Sequence, residues 1–148
     1  MKTRQDRRHR AGAALVEFAF VASVFFLLLF GIMEYARLCF TRQVIVNASR
    51  EGARYIVANI ADATVVADTT ALVKTKMCGL DAQTSLYTCQ IYMSDSTGAN
   101  IGAATNAGFG QYICVQIDYD YVPLLPTFLS MSSKIRITSK DMMFSEAN

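Results

Sequence analysis

The chain has 148 residues, 53% of them hydrophobic, and a formal net charge of +2. Five basic residues against one aspartate give +4 in the first twelve positions, which leaves −2 for the remainder. This length provides one modest domain plus a membrane helix, and the charge distribution argues against a nucleic-acid binder, whose basic residues would cluster on the folded part.

The first predicted element is a membrane-spanning helix. Residues Phe18–Met33 contain no charged side chain, and from Ala13 onward the only charge in this stretch is Glu17. At about 1.5 Å rise per residue, Ala13–Met33 gives a helix of roughly 31 Å, which matches the hydrocarbon core of a bilayer. Because basic residues precede the span, we expect a single pass through a membrane, with a cytoplasmic N-terminus and the residues after Glu34 outside.

A carboxylate inside an apolar span costs a few kcal/mol, so Glu17 requires an explanation. One interpretation is that it lies at the membrane surface and reaches water. Another is a functional role, since cleavage after Gly12 would make Ala13 the first residue and the glutamate the fifth. An uncleaved signal anchor, or a signal peptide removed after the apolar region, are further alternatives, although Gly-Ile-Met-Glu-Tyr-Ala is a poor site for the latter.

The arrangement around Gly12 resembles the processing site of type IV prepilins. The surrounding residues resemble the N-terminal signature of TadE-like proteins, which are pilin-like components of the tight adherence (Tad/Flp) pilus system. The stretches that carry this resemblance are Gly12–Ala19, Leu29–Arg37 and Asn47–Tyr55, with a looser likeness at Val122–Pro126.

The resemblance implies a role for each of four N-terminal residues. A prepilin peptidase would cut between Gly12 and Ala13, which makes residues 1–12 a basic leader and residues 13–33 the transmembrane segment. Glu17, followed by Phe18, would pair with the free amino group of a neighbouring mature subunit. The implied protein is a structural minor pilin or pseudopilin that works with other pilins and pilus-assembly proteins in a hetero-oligomer, in the inner membrane or in the extracellular pilus.

The helix is expected to continue beyond the membrane. No proline occurs between Glu34 and Ile60, and apolar residues recur at spacings of three and four, which predicts one helix to about Ile60 that packs on a periplasmic domain over residues 34–148. Gly52 weakens this helix and indicates either a close contact or a tolerated glycine. The apolar positions are Tyr35, Leu38, Ile45, Ala48, Tyr55, Ile56 and Ile60, and the predicted ion pairs are Glu34 with Arg37 and Glu51 with Arg54.

The remaining pattern predicts an α+β fold. A second, short helix is expected over Val65–Met77, capped by Asp62 or Thr64 and followed by Gly79 at a helix C-terminal position. Ser94–Gly110, rich in Gly, Ala, Asn, Ser and Thr, is expected to be a long exposed hairpin connection. Alternating side chains predict an antiparallel sheet of about three strands, packed on the long helix, at Cys89–Met93, Ile113–Tyr121 and Lys134–Lys140.

The four cysteines favour a disulfide over a metal site. None has CxxC spacing, and the one histidine, His9, lies in the leader, so we expect no bound metal. In an oxidising periplasm a disulfide is the natural alternative. Cys89 shares strand parity with residues that face the helices, whereas Cys114 should face away. The sequence therefore predicts a Cys78–Cys89 bond, with Cys39 and Cys114 free or paired between chains.

Catalysis finds little support in the sequence. Without a histidine outside the leader, Ser/His/Asp and Cys/His arrangements are missing, so we expect no enzyme, no cofactor and no small-molecule substrate. Asp118 and Asp120 share a strand face and are expected to be solvated rather than a cation site. Two alternatives remain open: an unprocessed membrane-anchored binding or scaffold protein, and a periplasmic enzyme or solute binder tethered by the helix.

Overall fold

The computed structural model describes residues 4–82, 86–124 and 133–145, with side chains described from residue 12 onward except Asp81. It divides into two compact units, Met1–Arg37 and Leu38–Asn148. The predicted α+β fold is confirmed. Of the Val122–Pro126 stretch, Leu125 and Pro126 lie outside the described residues.

Helix α1 runs over Arg4–Ala58 without interruption. The prediction of one long helix is confirmed, although this helix begins within the predicted leader and ends just before Ile60. The absence of proline from its 55 residues allows the hydrogen-bond ladder to continue throughout. Of the positions predicted to face the core, Ile45, Ala48 and Ile56 are fully buried, whereas Tyr35 is 68% exposed.

Helix α2 runs over Val65–Lys76, close to the predicted Val65–Met77. Thr64 occupies its N-cap position, but the threonine hydroxyl donates to Oδ2 of Asp68, at 2.8 Å, and makes no bond to the backbone. After the helix, Cys78 and Gly79 have positive φ angles of 52° and 85°. Glycine adopts this left-handed conformation freely, which explains its place after the helix end.

The sheet has four antiparallel strands in the order β2-β1-β3-β4. Three were expected, and the additional strand, β2, lies within the stretch predicted to be an exposed connection. Strand β4 also extends four residues beyond the predicted end at Lys140. The strands are β1 (Tyr87–Ser94), β2 (Asn100–Ala103), β3 (Tyr112–Tyr121) and β4 (Ile135–Phe144), with 3-10 turns at Leu80–Ala82 and Ala104–Asn106.

The core of the second unit lies between the two helices and one face of the sheet. The alternation predicted for β3 is confirmed, since its five odd-numbered residues from Ile113 to Tyr121 are all buried. Each fully buried aliphatic side chain stabilises the fold by about 1.5 to 3 kcal/mol relative to exposure. The helical part of this core consists of Ile45, Ala48, Ala53 and Ile56 of α1 and Val65, Val73 and Met77 at α2.

Candidate functional site: the apolar half of the first helix

The N-terminal part of α1 presents an apolar surface on every side. From Gly12 to Met33 all side chains are exposed except Ala22 and Gly31, which are half-buried. Phe18 and Phe20 are 70% and 74% exposed. Soluble proteins rarely leave so large an apolar patch uncovered. Among the described residues, this is the one helix long and apolar enough to cross a membrane, which makes it a candidate membrane anchor.

Two local features suit this segment to an apolar environment. The Ser23 hydroxyl donates to the Ala19 carbonyl oxygen at 2.8 Å, so this polar group is satisfied within the helix. The rings of Phe26 and Phe30 stack with centroids 6.2 Å apart, and Phe25 meets Phe26 edge-on at 5.7 Å. Neither feature leaves a hydrogen-bonding group that would require water.

The predicted processing and assembly residues lie together at the start of this surface. Ala13 and Glu17 are four residues apart in one helix and therefore lie on the same face. Glu17 is exposed, and no side chain that the structure describes forms a hydrogen bond or ion pair with it. A Cβ atom at Gly12 would meet nothing within 4 Å. Neither cleavage after Gly12 nor pairing of Glu17 is tested by this arrangement, and both remain predictions.

A partly buried ion pair follows the apolar segment. Nη2 of Arg37 lies 3.0 Å from Oε1 of Glu34, whose side chain is only 6% exposed. This confirms the pair predicted from their spacing. A carboxylate removed from water in this way requires a charged or hydrogen-bonding partner, which the arginine supplies.

The Arg50–Arg54 segment of α1 forms ion pairs with β4 and with the end of α2. Nε of Arg50 lies 3.5 Å from Oδ1 of Asp141 in β4. Glu51 was expected to pair with Arg54, but its carboxylate instead lies 3.8 Å from Nζ of Lys76 at the end of α2. The prediction was wrong because it considered spacing within one helix and not the neighbouring helix.

A polar cluster between α1 and β4 was missed by the sequence analysis. The hydroxyl of Ser49, which is fully buried, lies 2.8 Å from that of Ser139, and it also bonds to the Asp141 carboxylate. Buried hydroxyls need such partners, because an unsatisfied one costs about 1 to 3 kcal/mol. The signal available in the sequence was the polar Ser139 at a core-facing position of a strand.

All four cysteines are free thiols in this structure, with Cys39 and Cys78 exposed. Cys89 lies on the helix-facing side of β1, as predicted, and burial raises the pKa of its thiol. Cys114 faces the other side, also as predicted, but is fully buried there beneath Tyr92 and its neighbours. Burial likewise raises the pKa of Cys114. The Cys78–Cys89 disulfide remains a prediction for protein that has met an oxidising environment.

The carboxylates on the outer face of the sheet are engaged by neighbouring side chains. Asp118 accepts from the Thr138 hydroxyl at 2.6 Å, and Asp120 accepts from Nε of Arg136 at 2.9 Å. The guanidinium hydrogen bond lowers the pKa of Asp120. Within the described part of the chain, no group of three or more potential ligand residues gathers around a metal position.

A surface groove runs along α2 rather than into the sheet. Its walls are mostly alanine and threonine side chains, and the ionisable residue among them is Lys74. A single cation on small side chains provides no acid–base pair. The groove thus gives no support to a tethered enzyme.

Residues 12–54 match the family of proteins described as TadE-like. This segment is similar to TadE-like proteins. The resemblance expected from the sequence is thereby confirmed over the apolar half of α1 and the Arg50–Arg54 segment. The TadE-like family is associated with the Tad pilus and is a structural rather than an enzymatic family. No curated protein and no solved structure gives a significant match to the chain.

Proposed function

We propose that this chain is a pilin-like minor subunit of a Tad pilus, cut after Gly12 by a prepilin peptidase and required for pilus assembly and adherence. The observation that carries this proposal is the exposed apolar surface of α1 from Gly12 to Met33, within the TadE-like segment, with Glu17 as its one carboxylate. The partners are the inner membrane, the peptidase, and other pilins and assembly proteins.

A charge argument supports the assignment of Glu17 to subunit assembly. A carboxylate in hydrocarbon is costly unless a cation neutralises it. The chain offers no charged side chain between Phe18 and Met33 for that purpose. Removal of the leader creates an ammonium group on Ala13, and the same group on a neighbouring subunit is the partner that we propose. Pairing would then depend on prior cleavage.

The remaining residues fit an extracytoplasmic domain. The basic leader favours the cytoplasmic side, so the residues after Glu34 would lie outside the inner membrane. The folded unit buries its apolar sheet face against α1 and α2 and leaves its other face largely polar. Such a unit can contact other pilins while the apolar helix stays in lipid or in the filament.

N-terminal sequencing of the protein from native membranes tests the cleavage. We expect the mature chain to begin at Ala13, and we expect Gly12→Val to retain the leader because the peptidase must accommodate the residue before the cut. Gly31→Ala is a matched control, since it changes a glycine of the same helix away from the cut. A native chain that still begins with its arginine-rich leader would contradict the proposal.

Substitution of Glu17 tests the assembly role separately. Glu17→Ala and Glu17→Gln remove the negative charge and make the span more apolar, so insertion should persist while the number of pili per cell falls severalfold. Glu51→Gln, in an exposed ion pair of the second unit, is the control and should leave pilus number unchanged. Normal piliation in both Glu17 variants would exclude the proposed pairing.

The alternative function is that of an uncleaved anchor that holds a binding or scaffold domain outside the membrane. The unbroken passage of helix α1 through Gly12 is compatible with both functions. An uncleaved anchor would retain its leader in the mature form. The same N-terminal sequencing therefore separates the alternative from the pilin-like subunit.

A further inference from the structure

The two edge strands of the sheet differ in length and in the regularity of their pairing. At one edge, β2 has four residues, and its register with β1 shifts between Met93 and Ser94. Short or irregular edge strands are a common means of preventing another strand from adding. At the other edge, β4 has ten residues in continuous register with β3, and among the described residues it pairs with β3 alone. The β4 edge therefore lacks the protection that the β2 edge has.

The register identifies the backbone groups that point away from β3. Beyond Phe144 the ladder continues at Ser145, whose N–H donates to the Gln111 carbonyl oxygen at 2.8 Å. In an antiparallel pair, residues that exchange backbone hydrogen bonds alternate with residues that do not. The odd-numbered residues of β4 thus bond to β3. The N–H and C=O groups of Thr138, Lys140 and Met142 point to the open edge.

The side chains at the even-numbered positions of β4 lie on the outer face of the sheet. Met142 and Phe144 are 40% and 56% exposed, and the Phe144 ring packs on Tyr112 with centroids 4.2 Å apart. Lys140 is exposed, and no carboxylate of the described residues lies within ion-pair distance of it. In contrast, Arg136 is already bonded to Asp120. At three successive outer-face positions, the edge therefore presents one basic side chain and then two apolar ones.

A second copy of β4 would not complement this edge. Residues opposite each other in neighbouring strands share a face of the sheet. Asp141 is the one carboxylate in β4 and lies on the helix-facing side, where it bonds to Ser49. In an antiparallel pair of two β4 strands it cannot lie opposite Lys140 of the other copy. Antiparallel self-pairing would therefore leave the lysine without an acidic partner.

We propose that the open edge of β4 accepts an extended strand from a different protein, with an acidic side chain opposite Lys140 and apolar side chains opposite Met142 and Phe144. Backbone hydrogen bonds would provide affinity, and the three outer-face side chains would select the partner. This interaction does not depend on cleavage after Gly12 and goes beyond the pilus role proposed above. The partner is recognised by its alternating acidic and apolar pattern.

Hydrogen exchange of the full chain in detergent micelles tests the proposal. The probe is a peptide with blocked ends, Val-Thr-Val-Ser-Glu-Thr-Thr-Thr-Thr, which in antiparallel register places its two valines and its glutamate opposite Phe144, Met142 and Lys140. With about 1 mM peptide, we expect the Thr138, Lys140 and Met142 amides to exchange roughly fivefold more slowly. The Ser139 amide, which already bonds to β3, should not change.

A charge exchange provides the matched control. Lys140→Glu alters an exposed side chain without touching the core, and this variant should prefer a peptide in which lysine replaces the glutamate. Equal protection by both peptides, or none by either, would overturn the proposal. Protection of the same amides that rises with protein concentration in the absence of peptide would show that a second copy occupies the edge, which also overturns it.

Discussion

Gly52 lies where α1 closely approaches both α2 and β3. A Cβ atom built on this glycine would lie 2.7 Å from Cγ2 of Val73 and 3.4 Å from Cγ1 of Val115. Both valines are fully buried, so neither can easily move aside. Of the two interpretations available from the sequence, the structure thus supports the close contact. The loss of helix propensity at glycine, about 1 kcal/mol, is the cost of this approach.

Larger side chains at Gly52 should destabilise the second unit in order of size. Gly52→Leu should lower the free energy of unfolding by about 1 to 3 kcal/mol through overpacking, and Gly52→Ala by less, because alanine regains helix propensity. Denaturant unfolding in detergent measures this. Gly31→Ala, where a Cβ meets nothing within 4 Å, is the control. A Gly52→Leu variant as stable as the native protein would contradict the close contact.

Acid should weaken the hairpin that joins β1 and β2. The Thr97 hydroxyl donates to Oδ1 of Asp95 at 2.6 Å, and the Ala99 N–H donates to the same oxygen at 2.9 Å. These bonds, the threonine hydroxyl first, lower the pKa of Asp95. A carboxyl group with a lowered folded-state pKa contributes stability above its ordinary pKa, and that contribution is lost as pH falls through the folded-state value.

The neutral variant Asp95→Asn should therefore show a pH-dependent defect. The native protein should have the higher melting temperature at about pH 6, and the difference should shrink as the pH falls below about 4, where the native carboxylate takes up its proton. Thermal unfolding followed by circular dichroism at a series of pH values measures the difference. If it stays constant over this range, the lowered pKa is not coupled to folding.

At the scale of elements, sequence periodicity was sufficient to locate a strand where one face of that strand is apolar and the other polar. It predicted the C-terminal end of β3 at Tyr121, where the structure also has it, because the alternation of apolar and polar residues persists to that point. It missed β2, Asn100–Ala103, because these small and polar residues show no alternation and are held by pairing with β1. It also ended β4 too early, since Met142, Met143 and Phe144 interrupt the alternation where both faces of the sheet are apolar.

In the candidate site, too, some features could be predicted from the local sequence and others could not. The apolar span and the position of Glu17 are local in the sequence and were predictable. The contacts of Ser49 with Ser139 and of Glu51 with Lys76 join residues distant in the chain, which no spacing rule connects. The burial of Cys114 on the outer face has a similar cause, because it depends on Tyr92 in the neighbouring strand, whose hydroxyl donates to the Gly98 carbonyl oxygen of the hairpin turn.

Thiol labelling tests the predicted Cys78–Cys89 bond. In protein purified without reductant, neither of these cysteines should react with iodoacetamide, and both should become labelled after reduction. Once reduced, Cys78 should react faster than Cys89, because burial raises the pKa of the latter and the thiolate is the reactive form. Peptide mapping distinguishes the sites. Labelling of both cysteines before reduction would exclude the disulfide.

At the scale of the whole molecule, the apolar half of α1 and the second unit suit different surroundings, lipid for the first and water for the second. The exposed residues from Gly12 to Met33 are almost entirely apolar, whereas the second unit has a core of its own and a more polar outer surface. The unit Leu38–Asn148 can fold around its own core in water, but the apolar half of α1 gains stability only in lipid or against apolar helices. Membrane retention and folding of the second unit should consequently respond to different substitutions.

A charge placed in the middle of the span should release the protein from the membrane. Leu28→Lys adds about 2.5 to 3.5 kcal/mol to the free energy of insertion. Extraction with alkaline carbonate should then move a large fraction of the protein from the pellet to the supernatant. Gln90→Lys adds the same charge at an exposed position of β1 and should leave the protein in the pellet. Release of both variants to the supernatant, together with the native protein, would mean that the apolar segment does not insert.

The continuity of α1 through Gly12 affects how a peptidase could reach the bond after it. Proteases generally cut extended backbone, so the turns around this glycine would have to unwind before hydrolysis. Unwinding is easiest near a helix end, where few hydrogen bonds are lost, and α1 begins at Arg4, about two turns earlier. Glycine also gains the most backbone freedom when a helix opens. Maturation would then be timed by local fraying of the leader, and substitutions that strengthen those first turns should slow it.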